Sequence, residues 1–360
     1  MRVALICEKP LLAKVVIDEL LFIEPDLDRS AFVVGWANEF YHLNSAFVIP
    51  RGQTYQSFPM TREAVYRSMT FDGRYLEDGS KMPIRRGLSS KTHPYFSSHE
   101  SIIDNEDFAS SVKRADVVYI AFDAGPSGYH VQMRVLDWLK SLDGDFIIKH
   151  FPVMSAVSAD LHYGLLNARE IDNLAEKAQL SLVRRHFDYN YLLNAYPIMG
   201  MTFDKAFGKR LPWPLSKHEL QVLYFMRRHG KPLSDGKLFE TMWQWRGTGR
   251  YDTKGWDFYN GVGNSASRSN IMKNLEMQGF LERSGRSSLT ISSQGERLLR
   301  FLHPDCEDAD QVMRIYSWAQ LPIEVAKEKV ERYIKTFFGK QKRFLSKMRD
   351  EPNMELIADV

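Results

Sequence analysis

Short apolar runs alternate with amphipathic stretches in the first 150 residues of the chain. Runs of this kind, bounded by turn residues, predict buried β-strands. Helical periodicity follows two of them, over 11–21 and again after Gly128. Alternation of strand and helix is typical of an α/β fold with a parallel sheet. The predicted strands are 2–7, 32–36, 46–50, 117–122 and 147–152.

Helical periodicity dominates the rest of the chain. Predicted helices cover 155–166, 168–194, 217–228 and 238–245. A helix after 261–268, a glycine turn, a strand at 288–292 and a helix from Gln294 together predict a winged-helix-like unit. We therefore predict a Rossmann-like α/β domain over 1–152, with 51–106 as an insertion or long loops. A mainly α-helical domain follows over 153–360, with the winged-helix-like unit at about 215–300.

Acidic residues stand at the ends of two predicted strands. Glu8 follows the strand 2–7, and Asp123 follows the strand 117–122 and precedes the turn Ala-Gly-Pro-Ser-Gly. Open α/β sheets place ligands at the carboxyl ends of their strands. Both residues are therefore candidate catalytic or metal-binding groups. The alternative for Asp123 is that its side chain only caps the turn and the helix that follows.

Several segments resemble, in order along the chain, the type IA DNA topoisomerases. Cys-Glu-Lys-Pro-Leu-Leu-Ala-Lys at 7–14 resembles the opening of their toprim domain, and Gly-Trp-Ala-Asn-Glu-Phe-Tyr-His-Leu at 35–43 resembles the next toprim segment. The segment 123–128 stands where the family has Asp-x-Asp-x-Glu-Gly. The resemblance implies a toprim-like fold and a Mg²⁺ site. It makes Glu8 and Asp123 the metal ligands, and Glu8, Lys9 and Asp123 the catalytic residues.

The chain departs from this family at two places. Gly125 and Ser127 replace two of the clustered carboxylates, and Mg²⁺ prefers several oxygen ligands, so we expect at most weak metal binding. The chain between Gly208 and Gly261 is also too short for the domains that carry the family's catalytic tyrosine. Tyr251, in Arg-Tyr-Asp-Thr, is the nearest counterpart, and we do not expect it to be a nucleophile.

Two segments of the second half resemble the family's DNA-contacting regions. The stretch 184–194 resembles Arg-x-x-Asp-Trp-Leu-x-x-x-Asn, and Gly-Val-Gly-Asn-Ser-Ala-Ser-Arg at 261–268 resembles a glycine-rich block that ends in Arg. Arginine forks match phosphate oxygens well. The alternatives are structural: helix-to-helix bonds for the Asp and Asn, and an ion pair for the Arg of 261–268. The candidate DNA contacts are Arg184, Arg185, Asp188, Asn194, Ser267 and Arg268.

Composition narrows the class of protein. The chain has 360 residues, 44% of them hydrophobic and 26% charged, as is ordinary for globular proteins. Its two cysteines, Cys7 and Cys306, exclude a disulfide framework and a cysteine-rich zinc site. The sequence has neither an apolar run of membrane-spanning length nor a secretory signal pattern, so we expect a cytoplasmic protein without membrane contact.

Charge is distributed unevenly along the chain. The net charge is only +3, yet residues 205–250 hold ten Lys or Arg against three Asp or Glu, and the C-terminal helix is also basic. Clustered cations are the expected footprint of phosphate contacts, although a solvated helix face would look the same. Trp243, Trp245 and Trp256 lie in or near the first cluster and would stack on bases or belong to the core.

These observations predict a DNA-binding protein that takes single-stranded DNA and lacks strand-passage activity. Two alternatives stay open. One is a metal-dependent enzyme that cuts DNA through Glu8 and Asp123, assisted by Lys9 or His130. The other is a protein-interaction module in which the DNA groove holds a protein partner.

Overall fold

The protein folds into two compact units. The first comprises Met1–Tyr41 and Tyr66–Leu182, and the second comprises His42–Val65 and Val183–Val360. The predicted domain limit near residue 152 stays a prediction. The structure is a computed structural model that describes residues 1–8, 10–27, 31–37, 54–63, 71–75, 82–83, 96–97, 102–103, 105–153, 157–168, 174–208, 215–251, 261–263, 265–285 and 287–348.

A six-stranded sheet is the centre of the first unit. Its strands are β1 (Val3–Cys7), β2 (Phe32–Ala37), β3 (Phe71–Tyr75), β6 (Ile102–Ile103), β7 (Val117–Asp123) and β8 (Ile147–Val153), and β4 (Met82–Pro83) pairs separately with β5 (Phe96–Ser97). The order is β6-β3-β2-β1-β7-β8. The four strands β2, β1, β7 and β8 are parallel, while β3 and β6 pair antiparallel at one edge. The predicted α/β fold is confirmed; the predicted strand 46–50 lies outside the described residues.

Helices cover both faces of this sheet. They are α1 (Pro10–Ile23), α2 (Asn105–Lys113), α3 (Pro126–Ser141) and α4 (Ser158–Leu166). Side chains alternate along a strand. Val3, Leu5 and Cys7 of β1 therefore pack with α1 and α4 on one face, while Ala4 and Ile6 pack with α2 and α3 on the other. A strand buried on both faces reads as a continuous apolar run, which is why the sequence predicted β1 and β7 so well.

Two buried polar side chains interrupt the core between α3 and β8. Gln132 is fully buried and His150 is 3% exposed. The His150 Nε2 atom forms a short hydrogen bond with Gln132 Oε1. Within the described residues, His150 Nδ1 and Gln132 Nε2 have no hydrogen-bond partner. Burial, together with the positive charge of Lys177, lowers the pKa of His150 to about 3.

This lowered pKa predicts acid sensitivity of the first unit. The pKa of a histidine in the unfolded chain is near 6.5. Below that pH the unfolded chain therefore binds a proton at position 150, whereas the buried His150 of the folded protein stays neutral. Stability is therefore fully present above about pH 6.5 and is lost as the pH falls toward 3. Between pH 7 and 5 the wild type should lose about 2 kcal/mol more than a His150→Gln variant. Amide hydrogen exchange of β7 and β8 at both pH values measures this difference. Equal losses in the two proteins would contradict it.

The second unit is mainly helical, as predicted. Helix α5 (Leu174–Phe207) belongs to this unit from Val183 onward. The other helices of the unit are α6 (Lys217–His229), α7 (Asp235–Trp243), α8 (Ser265–Met277), α9 (Ser293–Arg300), α10 (Gln311–Trp318) and α11 (Ile323–Lys347). A small antiparallel sheet has the order β10-β11-β9, from β9 (Leu233–Ser234), β10 (Leu281–Arg283) and β11 (Ser288–Ile291). Helix α5 continues through Pro197 and past the predicted end at Asn194. None of the helices in the described ranges is both long and apolar enough to cross a bilayer.

A segment from the N-terminal half of the chain belongs to this second unit. We call residues 54–63 the strap. The Lys342 ammonium group on α11 donates hydrogen bonds to the carbonyl oxygens of Tyr55 (3.3 Å), Gln56 (3.0 Å) and Phe58 (2.8 Å). It also lies 4.9 Å from the centre of the Tyr55 ring. One end of the strap is thereby anchored to α11.

Two asparagines of α5 hold the middle of the strap as a neighbouring strand would. Asn194 accepts a hydrogen bond from Met60 N–H (2.8 Å) and donates one to the Met60 carbonyl (2.7 Å). Asn190 makes the same pair of bonds with Arg62, at 2.8 and 2.9 Å. Both amides are fully buried. Each side chain thus satisfies one donor and one acceptor of the strap backbone.

Candidate nucleic-acid interface

The two predicted strand-end carboxylates lie at one edge of the sheet. Strands β1 and β7 are parallel neighbours, and Cys7 lies opposite Ala121. In this register Glu8 stands opposite Phe122, and Asp123 lies one position further along β7, at the carboxyl ends of strands about 4.8 Å apart. Asp123 is exposed and Glu8 is half-buried. Lys9, the third predicted catalytic residue, lies outside the described residues.

A close backbone approach fixes the turn after Asp123. Helix α3 has Gly125 as its N-cap residue, without a side-chain cap bond, so Asp123 is not the N-cap of this helix. A Cβ atom at Gly128 would lie 2.0 Å from the Asp123 carbonyl oxygen. The first turn of α3 can therefore approach β7 this closely only with glycine at position 128. The Ala124 N–H also donates to the Val153 carbonyl (2.8 Å), which extends the β7–β8 pairing.

The carboxylates at this edge fit only a weakly held metal. Within the described ranges, no group of three or more His, Cys, Asp or Glu side chains is arranged to hold a metal ion. Mg²⁺ is often bound through one or two carboxylates plus water and substrate phosphates. Glu8 and Asp123 would supply that minimum, while Gly125 and Ser127 add no carboxylate. His130, the predicted assistant, is a buried residue of α3.

Four cationic side chains from distant parts of the sequence share one neighbourhood in the second unit. We call them the cationic cluster: Arg184 of α5, Lys217 of α6, Arg246 after α7 and Arg268 of α8. Burial raises the pKa of Tyr316, and the charges of all three arginines lower it. Burial lowers the pKa of His218 strongly, and the charges of Lys217, Arg184 and Arg268 lower it further. The side chains of Tyr316 and His218 therefore both lie close to several positive charges.

Lys217 is a buried member of the cluster. Its ammonium group pairs with the Asp188 carboxylate and lies 5.0 Å from the centre of the Phe187 ring. Burial lowers the pKa of Lys217, Asp188 raises it, and the charge of Arg184 lowers it again. Asp188 thus offsets one of the four positive charges, and its predicted role as a DNA contact competes with this ion pair.

Arg268 is built into the fold by the glycine-rich turn before α8. The side chain is 5% exposed, and burial lowers its pKa. Its Nε donates to the Val262 carbonyl (3.3 Å), and its guanidinium carbon lies 5.4 Å from the centre of the Phe239 ring. Gly261 has a φ of 106°, and a Cβ there would lie 2.2 Å from the Met242 carbonyl oxygen. Gly261 of the 261–268 block is therefore required by packing.

Arg184 is the member best placed to bind an anion. Its side chain is half-buried, and among the described residues it has no hydrogen bond or ion pair. Its charge nevertheless reaches Lys217 and His218. Arg246 is partly engaged, because its Nη1 donates to the carbonyls of Trp243 (3.3 Å) and Trp245 (3.0 Å). A phosphate bound here would meet Arg184 without breaking an existing bond of that side chain.

The other predicted DNA contacts are placed differently. Asn194 is buried and uses both N–H bonds of its amide, toward Met60 and toward the Asn190 carbonyl. Arg185 is half-buried on α5. Ser267 is half-buried in the first turn of α8, and its Oγ lies beside Gly263. The structure therefore brings Arg184 and Arg268 into one cluster, while Asn194 serves the strap.

The candidate tryptophans for base stacking differ in their exposure to solvent. Trp243 is 51% exposed, whereas the Trp245 indole donates to the Ala309 carbonyl (2.9 Å) and packs edge-on against Phe225. Trp256 lies outside the described residues. The Tyr251 ring lies 6.0 Å from the Arg250 guanidinium carbon. Of the two candidate tryptophans that the structure describes, only Trp243 presents half its surface for stacking.

The sequence did not single out two members of the cluster, Lys217 and Arg246, or the neighbouring Tyr316. Lys217 and Arg246 were counted within the basic stretch 205–250 but were not singled out. Tyr316 carried no local signal, because it lies on the buried face of α10 like an ordinary core residue. The N-cap residue Ser216 was the sequence feature that could have indicated Lys217. Ser216 fixes the start of α6, so Lys217 stands in the first turn of that helix.

Comparisons with known proteins add little to this geometry. No family model and no curated protein matches the chain. A structural neighbour is the full-length topoisomerase I from Thermotoga maritima, with a TM-score of 0.34 and 13% sequence identity. The similarity covers 62% of this chain and 29% of that topoisomerase. A similarity of this size carries no functional argument, so the function must be inferred from the residues of the chain itself.

Proposed function

We propose that the chain binds single-stranded DNA through the cationic cluster of its second unit. The observation that carries this proposal is the convergence of Arg184, Lys217, Arg246 and Arg268, where the Asp188 carboxylate pairs with Lys217. Like charges gathered in a partly buried site repel one another. A bound phosphate would relieve that repulsion, and guanidinium groups match phosphate oxygens. The cluster is therefore better explained by an anionic partner than by stability alone.

We further infer that 215–300 is a winged-helix-like unit within a shortened, type IA topoisomerase-like protein. The order α6, β9, α7, α8 and the β10–β11 hairpin, closed by the β11–β9 pairing, supports the first part. The in-order resemblance of 7–14, 35–43, 123–128 and 261–268 supports the second. Strand passage is not expected, because the chain between Gly208 and Gly261 is too short for the tyrosine-bearing domains.

Removing one cluster charge tests the binding proposal. The affinity of the purified protein for a fluorescent single-stranded oligonucleotide would be measured by anisotropy over a range of salt concentrations. An Arg184→Gln variant should bind about tenfold more weakly, since hydrogen bonds to charged groups contribute about 1.5–3 kcal/mol. Losing one phosphate contact should also reduce the slope of log affinity against log salt by about 0.7. Arg184 is preferred to Arg268 because Arg268 also supports the fold.

Arg228→Gln is the matched control. Arg228 is an exposed arginine of the same unit that pairs with Glu307 (2.9 Å), and it lies eleven residues from Lys217, about 16 Å along α6. Its loss removes the same charge outside the cluster and should change affinity less than about twofold. Equal losses in both variants would mean that net charge alone drives binding. Absence of DNA binding in the wild type would favour the protein-interaction alternative.

Metal-dependent DNA cleavage is the second candidate. The specific observation in its favour is that Glu8 and Asp123 stand at the carboxyl ends of adjacent parallel strands. The same oligonucleotide, incubated with Mg²⁺ or Mn²⁺, tests it. Cleavage that Glu8→Gln abolishes would make the protein an enzyme of the toprim type. Binding without cleavage in either metal would leave DNA binding as its function.

A further inference from the structure

A cleft opens between α1 and α4 on the outside of the first unit. Its volume is ≈ 370 Å³, enough for one large side chain. Two acidic residues and one phenylalanine of α1 line it together with apolar residues of both helices. The lining residues are Val15, Asp18, Glu19, Phe22, Ser158 and Leu161.

A fixed carboxylate forms the polar wall of this cleft. Glu19 is 8% exposed, and both of its oxygens are bonded. One accepts a hydrogen bond from the Ser158 hydroxyl (2.7 Å), and the other bonds His162 Nδ1 (2.7 Å). This network orients α4 on α1 and holds the negative charge in place. Asp18 stands beside it and pairs with Lys14 from the preceding turn.

Large apolar side chains of this helix pair are exposed to solvent. Phe22 is 71% exposed and packs edge-on against the His162 ring, with 5.9 Å between ring centres. Val157, Tyr163 and Leu166 of the same helix pair are between 61% and 72% exposed. A solvent-exposed phenylalanine beside two carboxylates, with further exposed apolar side chains on the same helix pair, is typical of a protein-binding surface rather than of ordinary solvent-facing helices.

The charge of this surface identifies the kind of partner. Across the two stretches 14–27 and 157–168 there are five carboxylates, and Lys14 is the one Lys or Arg. The chain as a whole carries +3. This helix pair therefore repels nucleic acid and attracts a cationic group.

We propose that the cleft receives an arginine side chain, flanked by apolar residues, from a protein partner. A planar guanidinium can stack on the exposed Phe22 ring and share hydrogen bonds with the Asp18 carboxylate at the same time. Lysine can do only one of these well. The apolar neighbours of that arginine would cover Tyr163 and Leu166. This surface belongs to the first unit and is independent of the cationic cluster.

Peptide probes test the proposal on the full-length chain. The probe is acetyl-Ala-Leu-Arg-Leu-Ala-amide, and the matched control peptide carries citrulline, which has the same shape without the charge. Amide chemical shifts of ¹⁵N-labelled protein would be followed by NMR. The arginine probe should shift α1 and α4 resonances saturably and bind at least about tenfold tighter than the citrulline peptide.

Three variants sharpen the outcome. Phe22→Ser, at an exposed site, should weaken the arginine probe about tenfold, and Lys14→Gln should strengthen it about threefold by removing a cation that competes for Asp18. Met277→Ser removes an equally exposed apolar side chain elsewhere and should change nothing. Equal binding of both peptides, or full binding by Phe22→Ser, would overturn the proposal. So would a dimer in sedimentation that Phe22→Ser dissociates, because a second copy would then be the occupant.

Discussion

A Gly128→Ala variant should lose about 3 kcal/mol of stability or more in the first unit, at the upper end of overpacking effects. The new methyl carbon would lie 2.0 Å from the Asp123 carbonyl oxygen and 3.1 Å from its carbonyl carbon. Both atoms belong to the backbone of β7, so no side chain can rotate away. Helix α3 or the end of β7 must move instead. Amide exchange of β7 and thermal unfolding measure the loss.

Gly200→Ala is the control for this prediction. Gly200 lies inside α5, and a Cβ there would meet nothing within 4 Å. Alanine is a better helix former than glycine by about 1 kcal/mol, so this variant should be as stable as the wild type or more so. If Gly128→Ala unfolded like the wild type, α3 would have to be able to move away from β7. The fixed position of Asp123 at the end of β7 would then be in doubt.

An Asn194→Ala variant should release the strap while leaving most of the second unit folded. The substitution removes both hydrogen bonds to the strap and leaves the N–H and carbonyl of Met60 without their partner. Leaving a buried polar group unsatisfied costs about 1–3 kcal/mol, so the pair should cost about 3 kcal/mol after the strap relaxes. The Met60 amide should exchange with solvent much faster, and the strap should become sensitive to protease.

Asn167→Ala is the comparison for this variant. Asn167 is exposed and bonds only a carbonyl of its own helix, that of Tyr163 (2.8 Å). Its loss should change stability by less than about 0.5 kcal/mol. A Met60 amide that stays protected in Asn194→Ala would mean that Lys342 and Asn190 hold the strap without it.

The sequence was most informative where structure is set by neighbouring residues. Strands β1 and β7 are buried on both faces, so their apolar runs stood out. Ser216 and Gly230 marked the ends of α6, since the first caps it and the second adopts a φ of 67°. Helix α5 was predicted to end at Asn194, whereas it continues to Phe207 through Pro197. Its missing N–H costs a single bond in a helix that tertiary contacts hold on both sides of it.

Contacts between distant segments could not be predicted in this way. No local pattern around 54–63 indicates that its backbone would bond Asn190 and Asn194, more than a hundred residues later. The pairing of Lys217 with Asp188 and the position of Tyr316 near three arginines also join distant segments, so no local pattern predicted them. The sequence did indicate Arg184 and Arg268 as candidate DNA contacts, because both stand in segments that resemble a known family. Their convergence on one site required the structure.

The strap has a consequence for how this protein can be divided. The second unit is not a contiguous stretch of sequence, because 42–65 completes it from within the first half of the chain. A fragment that starts at residue 183 would lack the partner of Asn190, Asn194 and Lys342 and would expose their buried polar groups. A synthetic peptide of residues 54–63 should then restore it in trans, as in split-protein complementation. Shortening this apparent loop would remove a structural part of the other half of the molecule.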